Sequence, residues 1–239
     1  MANLFNDPSL KAYYRMESNS ADSSPNNANT GTDTSMTYVT GNFGNAGTFD
    51  SLNSFITISN HISIQDLFAT GGSISAWIYT DSDGENSVGR IADKMEDSTT
   101  VGWYFSVALE AAGVVKLRFA QEFSTTHGEW NTTSTEVSNG VWTHVVVTYD
   151  ASGVSNNPTI YVGGLSKGVS ETSTPVGTFG GDSAKVLTIG NRGTNPNVNF
   201  DGEIDDICFF NRILTQAEIT DLSTKELFTL KSAGKVMIF

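Results

Sequence analysis

The segment GSISAWIYT, residues 72–80, alternates between two kinds of side chain at every step. Ile74, Ala76 and Ile78 fall on one face, and Ser75, Trp77 and Tyr79 on the other. A period of two fits a strand with one buried face and does not fit a helix. Similar runs recur at LKAYYRM (10–16), GTFDSLNSFITIS (47–59), GRIADKM, GWYFSVAL, VVKLRFAQE (114–122) and VWTHVVVTYD (141–150). They continue at TIYVGG (159–164), KVLTIGNR (185–192) and GEIDDICFFNR (202–212). Gly, Asn, Ser and Pro fill the gaps, and ASGVSNNP between two such runs marks a hairpin. Leu10, Ala12, Tyr14 and Met16 are expected on one face of the first strand. Short strands at about 8–12-residue spacing predict an all-β, two-sheet antiparallel sandwich or jelly roll.

The exception is TQAEITDLS (215–223), where Thr215 and Glu218 form a capping-box pattern for one short C-terminal helix. NHISIQDLF holds a helical turn, and the polar stretches 20–35 and 123–140 read as loops. No repeat or linker divides the chain, so residues 1–224 are expected to form a single domain. The tail 225–239 is left as an attachment or edge segment.

Acidic residues outnumber basic ones by 26 to 13, a net charge of −13, which repels nucleic acid. Neutral sugars, cations and a basic partner remain compatible. One cysteine, Cys208, excludes an internal disulfide, and its apolar setting predicts a buried, inert thiol. No apolar run approaches the ~18 residues that membrane insertion needs. The N-terminus shows no secretory pattern. His61, His127 and His144 have no ligand spacing, and the HExxH, Walker and GxSxG motifs are absent.

The segments LKAYYRMES, SISAWIYT, GVWTHVVVTYD, TIYVGG, LTIGNR and FDGEIDDICFFNRILTQAEI follow one another in an order that resembles the laminin-G-like, concanavalin A-like jelly rolls. The last is the most specific, being similar to the family ending DGxIDDVxIYNRALSxxEI. The chain departs from the family at YVGG (161–164), where YVDG is usual, and at Cys208, where a basic residue is common. The resemblance implies a domain that binds glycans or proteins, acts as a spacer, or accompanies an enzyme. Fold alone does not choose among them.

The same fold carries laminarinase-type glycosidases, in which two carboxyl groups about 5 Å apart work on the glycosidic bond. Asp201, Glu203, Asp205 and Asp206 crowd into FDGEIDDICFFNR. Glu203 and Asp205 match the first two members of the glycosidase motif. The third position holds Ile207 or Cys208, so the motif is incomplete. As an unbroken strand, Asp205 shares a face with Ile207 and Phe209, and Asp206 shares one with Cys208 and Phe210. A carboxylate on an apolar face needs a partner or a cation. In jelly rolls of this kind an ion ties the first strand to the last. Glu17, Asp205 and Asp206 are therefore candidate ligands for a structural Ca²⁺. The other reading is that these acids cap turns. Asp81, Asp83 and Glu85 in DSDGEN form a solvated turn in the same way.

Trp77 and Trp142 lie in strong strands and are expected in the core. Trp130 sits among polar residues in STTHGEWNTTSTE, where it reads either as a stacking platform or as cover for a sheet edge. With Asn131, Trp103 and Asn195 of the amide-rich loop NRGTNPNVN (191–199), it forms the candidate ligand site. Asn131-Thr-Thr is also a glycosylation sequon. The expected function is a non-enzymatic, surface-displayed module that binds a glycan or a surface protein. The missing export signal suits a virion surface protein, similar to phage capsid-decoration or tail proteins that contact other virion proteins. An extracellular module, a purely structural coat protein and a laminarinase-type hydrolase are the alternatives.

Overall fold

The alternating runs close into two stacked antiparallel sheets in a computed structural model, which describes residues 4–95, 100–194, 196–225 and 227. The eight-stranded sheet runs β14 (Leu165–Lys167), β13 (Thr159–Val162), β12 (Thr143–Tyr149), β6 (Gly72–Thr80), β17 (Asp201–Phe210), β4 (Asn45–Asp50), β3 (Thr37–Thr40). β1 (Leu10–Tyr14) also pairs with β17. The nine-stranded sheet runs β15 (Val169–Ser173), β10 (Gly128–Thr132), β9 (Val114–Gln121), β8 (Trp103–Ala111), β7 (Arg90–Asp93), β16 (Leu187–Ile189), β5 (Phe55–Ile58), β2 (Thr32–Thr34). β11 (Val137–Ser138) joins β9.

The inner faces meet in one core. Ile74, Ala76 and Ile78 of β6 pack there with Val145 and Val147 of β12, Phe105 of β8 and Phe119 of β9. A second apolar layer covers the outer face of the eight-stranded sheet. It gathers Leu4, Phe5, Tyr13, Val146, Cys208 and Phe210 under Ile219 and Leu222 of helix α1 (Gln216–Leu222). Thr215 and Glu218 form the expected capping box. The helix thus covers a face of the sheet. Cys208 is buried beneath it, and burial pushes its thiol pKa up. Of the tail, only Lys225 and Leu227 are described, and Leu227 is buried in this layer.

Two bulges change which side chains share a face. In β17 the register slips between Asp205 and Cys208, where Asp206 has φ +49°. Ile204 points into the core before the slip, and Ile207 and Phe209 do so after it. The extra residue shifts the phase by one, so Asp205 does not share the face of Ile207 and Phe209. In β1 a slip between Leu10 and Ala12 sends Leu10 into the outer layer, while Ala12, Tyr14 and Met16 stay in the core.

Candidate functional site

The tryptophans sit the opposite way round from the sequence expectation. Trp103 and Trp130 are 1% and 0% exposed. Trp130 packs 5.3 Å from Tyr149, and Trp103 packs 5.3 Å from Phe68. Neither offers a face to a ligand. The polar surroundings of Trp130 belong to the other face of β10, where Glu129 and Asn131 alternate with it. Trp77 and Trp142 are the partly exposed pair, against Phe43 and Tyr79 on the outer face of the eight-stranded sheet. Asn131 is buried and held by Arg118 and Thr172, so its amide is not open to a ligand or a glycan. Asn195 lies outside the described residues.

The carboxylates of β17 cap local structure. Asp205 Oδ2 accepts the Phe43 N–H at 2.8 Å. Glu17 accepts the Asn45 N–H at 3.1 Å and pairs with Arg15 at 2.7 Å. Both acids close the turn 41–44, where a Cβ on Gly41 would crowd Asp205 and one on Gly44 would strike Glu17. Asp206 accepts instead from the Tyr13 hydroxyl and from the Leu227 N–H at 3.2 Å. Asp205 and Asp206 therefore diverge. Among the described residues no three His, Cys, Asp or Glu side chains gather as a metal requires. Glu17 and Asp205 meet at the turn while Asp206 bonds in the outer layer, so the three carboxylates do not converge on one point. The acids of 81–86 act similarly, with Asp83 accepting the Glu110 N–H and Glu85 holding Asn199.

Burial, opposed by backbone hydrogen bonds, pushes the Asp205 carboxyl up to about 7. Its Oδ1 is buried with no hydrogen-bond partner. The folded pKa lies above the unfolded one, so the protonated acid favours folding. That stability is complete below the ordinary value of 3.8 and is lost as pH rises toward about 7. Asp205→Asn is expected to flatten the fall of Tm between pH 5 and 8. It should raise the Tm at pH 8 by about 2–4 °C, the shift that 1 kcal/mol gives a domain of this size. A variant Tm below wild type at pH 8 would show that the charge is needed.

An open cleft of about 440 Å³ lies beside the β12–β13 hairpin. Thr148 and Thr159 face each other across the two strands, and Tyr161 follows on the same outer face. The loop after β12 supplies Asp150, Ser155, Asn156 and Asn157, and Ile213, 48% exposed, forms the far wall. The loop is braced from within. Asn156 Nδ2 donates to the Asp150 carbonyl at 3.0 Å, and the Ser152 N–H donates to Asp150 Oδ1 at 2.9 Å. Trp130 Nε1 reaches out of the core to Asn157 Oδ1 at 2.7 Å. That bond turns the Asn157 N–H donors away from the indole, and among the described residues the Tyr161 hydroxyl has no hydrogen-bond partner. An aromatic ring, fixed amides, hydroxyls and one carboxylate match a sugar, whose C–H faces stack and whose hydroxyls need paired donors and acceptors. The sequence reading took this region as a bare turn and strand. The signal was the polar Asn-Asn-Pro loop next to Tyr161, which stands out of phase with Ile160 and Val162.

Residues 50–220 match the family profile of the concanavalin A-like lectin/glucanases superfamily, and the chain belongs to that family. No curated protein matches the chain. Among solved structures it is similar to domain 4 of AbnA, a GH43 extracellular arabinanase from Geobacillus stearothermophilus, solved in complex with arabinotriose. The identity is 19% and the TM-score 0.62, over 90% of this chain and 98% of that one. The binding domain of Paraclostridial Mosquitocidal Protein 1 gives 20% identity and a TM-score of 0.66, over 90% of this chain and 52% of that one. The binding domain of botulinum neurotoxin DC, in complex with SialylT, gives 15% identity and 0.63, over 92% and 52%. The chain spans about half the length of these two toxin domains. At such identities the likeness is one of fold. No described helix is long and apolar enough to cross a membrane.

Proposed function

We propose that this chain is a non-catalytic binding module that takes an oligosaccharide in the cleft between Tyr161 and the 150–157 loop. The observation that carries the reading is the pairing there of a partly exposed aromatic ring with braced amides and free hydroxyls. The likeness of fold, over 90% of this chain, to a domain solved with arabinotriose supports it. The second member of the glycosidase-like pair supports a non-catalytic reading, since Asp205 accepts the Phe43 N–H and closes a turn. Such a module works displayed on a surface, outside a cell or on a virion.

A glycan array probed with the full chain tests this. Tyr161→Ala is expected to weaken binding by at least about tenfold, the factor that 1.4 kcal/mol of lost stacking represents. Trp142→Ala should leave it unchanged, and so should a calcium chelator. Full binding by Tyr161→Ala would remove the site from this cleft. No binding to any glycan would favour the structural coat role.

A further inference from the structure

We infer that the cleft selects uncharged oligosaccharides and rejects those bearing carboxylate, sulfate or phosphate, an inference that rests on the glycan reading above. Among the described residues that line it, Asp150 is the one charged side chain. Its Oδ1 accepts the neutral Ser152 N–H at 2.9 Å, and among the described residues no Lys or Arg forms an ion pair with it. The remaining donors are the Asn157 amide and hydroxyls such as those of Tyr161 and Thr159. These neutral groups suit sugar hydroxyls, whereas an oxyanion is better held by Arg or Lys.

One cation does adjoin the far wall. Arg212 precedes Ile213, but its guanidinium is already closed on two carboxylates. It donates to both Glu218 oxygens at 2.8 Å and, through Nε, to Asp7 at 3.0 Å. These bonds hold its pKa well above the ordinary value, the Glu218 hydrogen bonds first. An arriving anion would have to displace both acids. The hydroxyl of Tyr149, pushed up chiefly by burial, also feels the charges of Asp150 and Glu171. The field on the loop side is therefore negative, in a chain whose net charge is −13.

The test uses the full chain on glycan pairs that differ only in an acidic group: lactose against sialyllactose, and a neutral galactan against its sulfated form. The neutral member is expected to bind at least about tenfold more tightly at low salt, the effect of an unrelieved like charge at a contact. The gap should narrow as screening rises toward about 0.5 M salt. In Asp150→Asn, whose amide oxygen still accepts the Ser152 N–H, the affinity ratio between the two members should fall toward one, whatever the change in the neutral member's own affinity. Equal binding of both members by wild type would overturn this inference and leave the cleft as a glycan site. Failure to bind any glycan would overturn the reading beneath it. If Asp150→Asn does not fold, the salt series decides: a preference indifferent to salt would overturn the charge basis.

Discussion

Trp130→Ala is expected to lower the stability of the domain by about 3–5 kcal/mol, the range for removing a large buried aromatic. The indole is fully buried between Phe119 and Tyr149 and leaves no room for a Cβ at Gly128. Denaturant or thermal melts read this directly. Trp130→Phe separates packing from the hydrogen bond. It keeps an aromatic ring in the core and removes the 2.7 Å donation to Asn157. The expected loss of stability from that bond is about 1 kcal/mol. Glycan affinity should fall with it, because the 150–157 loop loses its brace. Ile58→Val, on β5 at the far end of the nine-stranded sheet, should cost a similar amount. It should leave affinity unchanged. Trp130 then acts as a positioning residue. If Trp130→Ala instead folded as stably as wild type and lost ligand, the indole would be the platform its polar neighbours suggest.

That contrast shows what the residues reveal and what they conceal. The strands that carry the core, such as β6 and β12, are legible because apolar side chains recur at a period of two. Helix α1 is legible through Thr215 and Glu218. Edge strands are not, because water reaches both their faces and no alternation is imposed. β2, within the polar stretch 20–35, and the exposed β15 are of this kind. β10 hides for a related reason, since its outward Glu129 and Asn131 obscure the single inward Trp130. The face of Asp205 was lost through the bulge at Asp206, a local positive φ that periodicity cannot register. The positions of Trp77 and Tyr79 were open to inference, because both alternate with Ile74, Ala76 and Ile78. The cleft depends on a long-range contact, Trp130 to Asn157, that no local pattern contains.

The same limit hides a buried lysine. Lys94, in GRIADKM, carries no mark in the sequence that sets it apart from a surface lysine, yet its side chain and that of Asp182 are both 0% exposed. Its ammonium donates to Asp182 Oδ1 at 2.8 Å, to the Asp182 carbonyl at 2.8 Å and to the Lys185 carbonyl at 2.9 Å. Asp182 also accepts from Trp103 Nε1 and the Asp66 N–H, both at 2.9 Å. One ammonium thus ties the end of β7 to the segment 182–185 and, through the Asp182 carboxylate, to Asp66. Lys94→Met is expected to cost about 3–5 kcal/mol near pH 7, because it strands a buried carboxylate and two carbonyls. Burial already raises the Asp182 pKa, and the Lys94 charge opposes the rise. Without that charge the folded pKa climbs further above the unfolded value. The variant's stability is then fullest at low pH and lost as pH rises through the new pKa. Its deficit against wild type should shrink as pH falls from 7 toward 4, and adding Asp182→Asn should recover part of it at pH 7. A deficit under about 1 kcal/mol at pH 7, independent of pH, would mean that water reaches the pair, as it does for exposed ion pairs of that strength. A deficit that narrows with acid makes this single lysine the clamp on which the loops at that end of the sandwich depend.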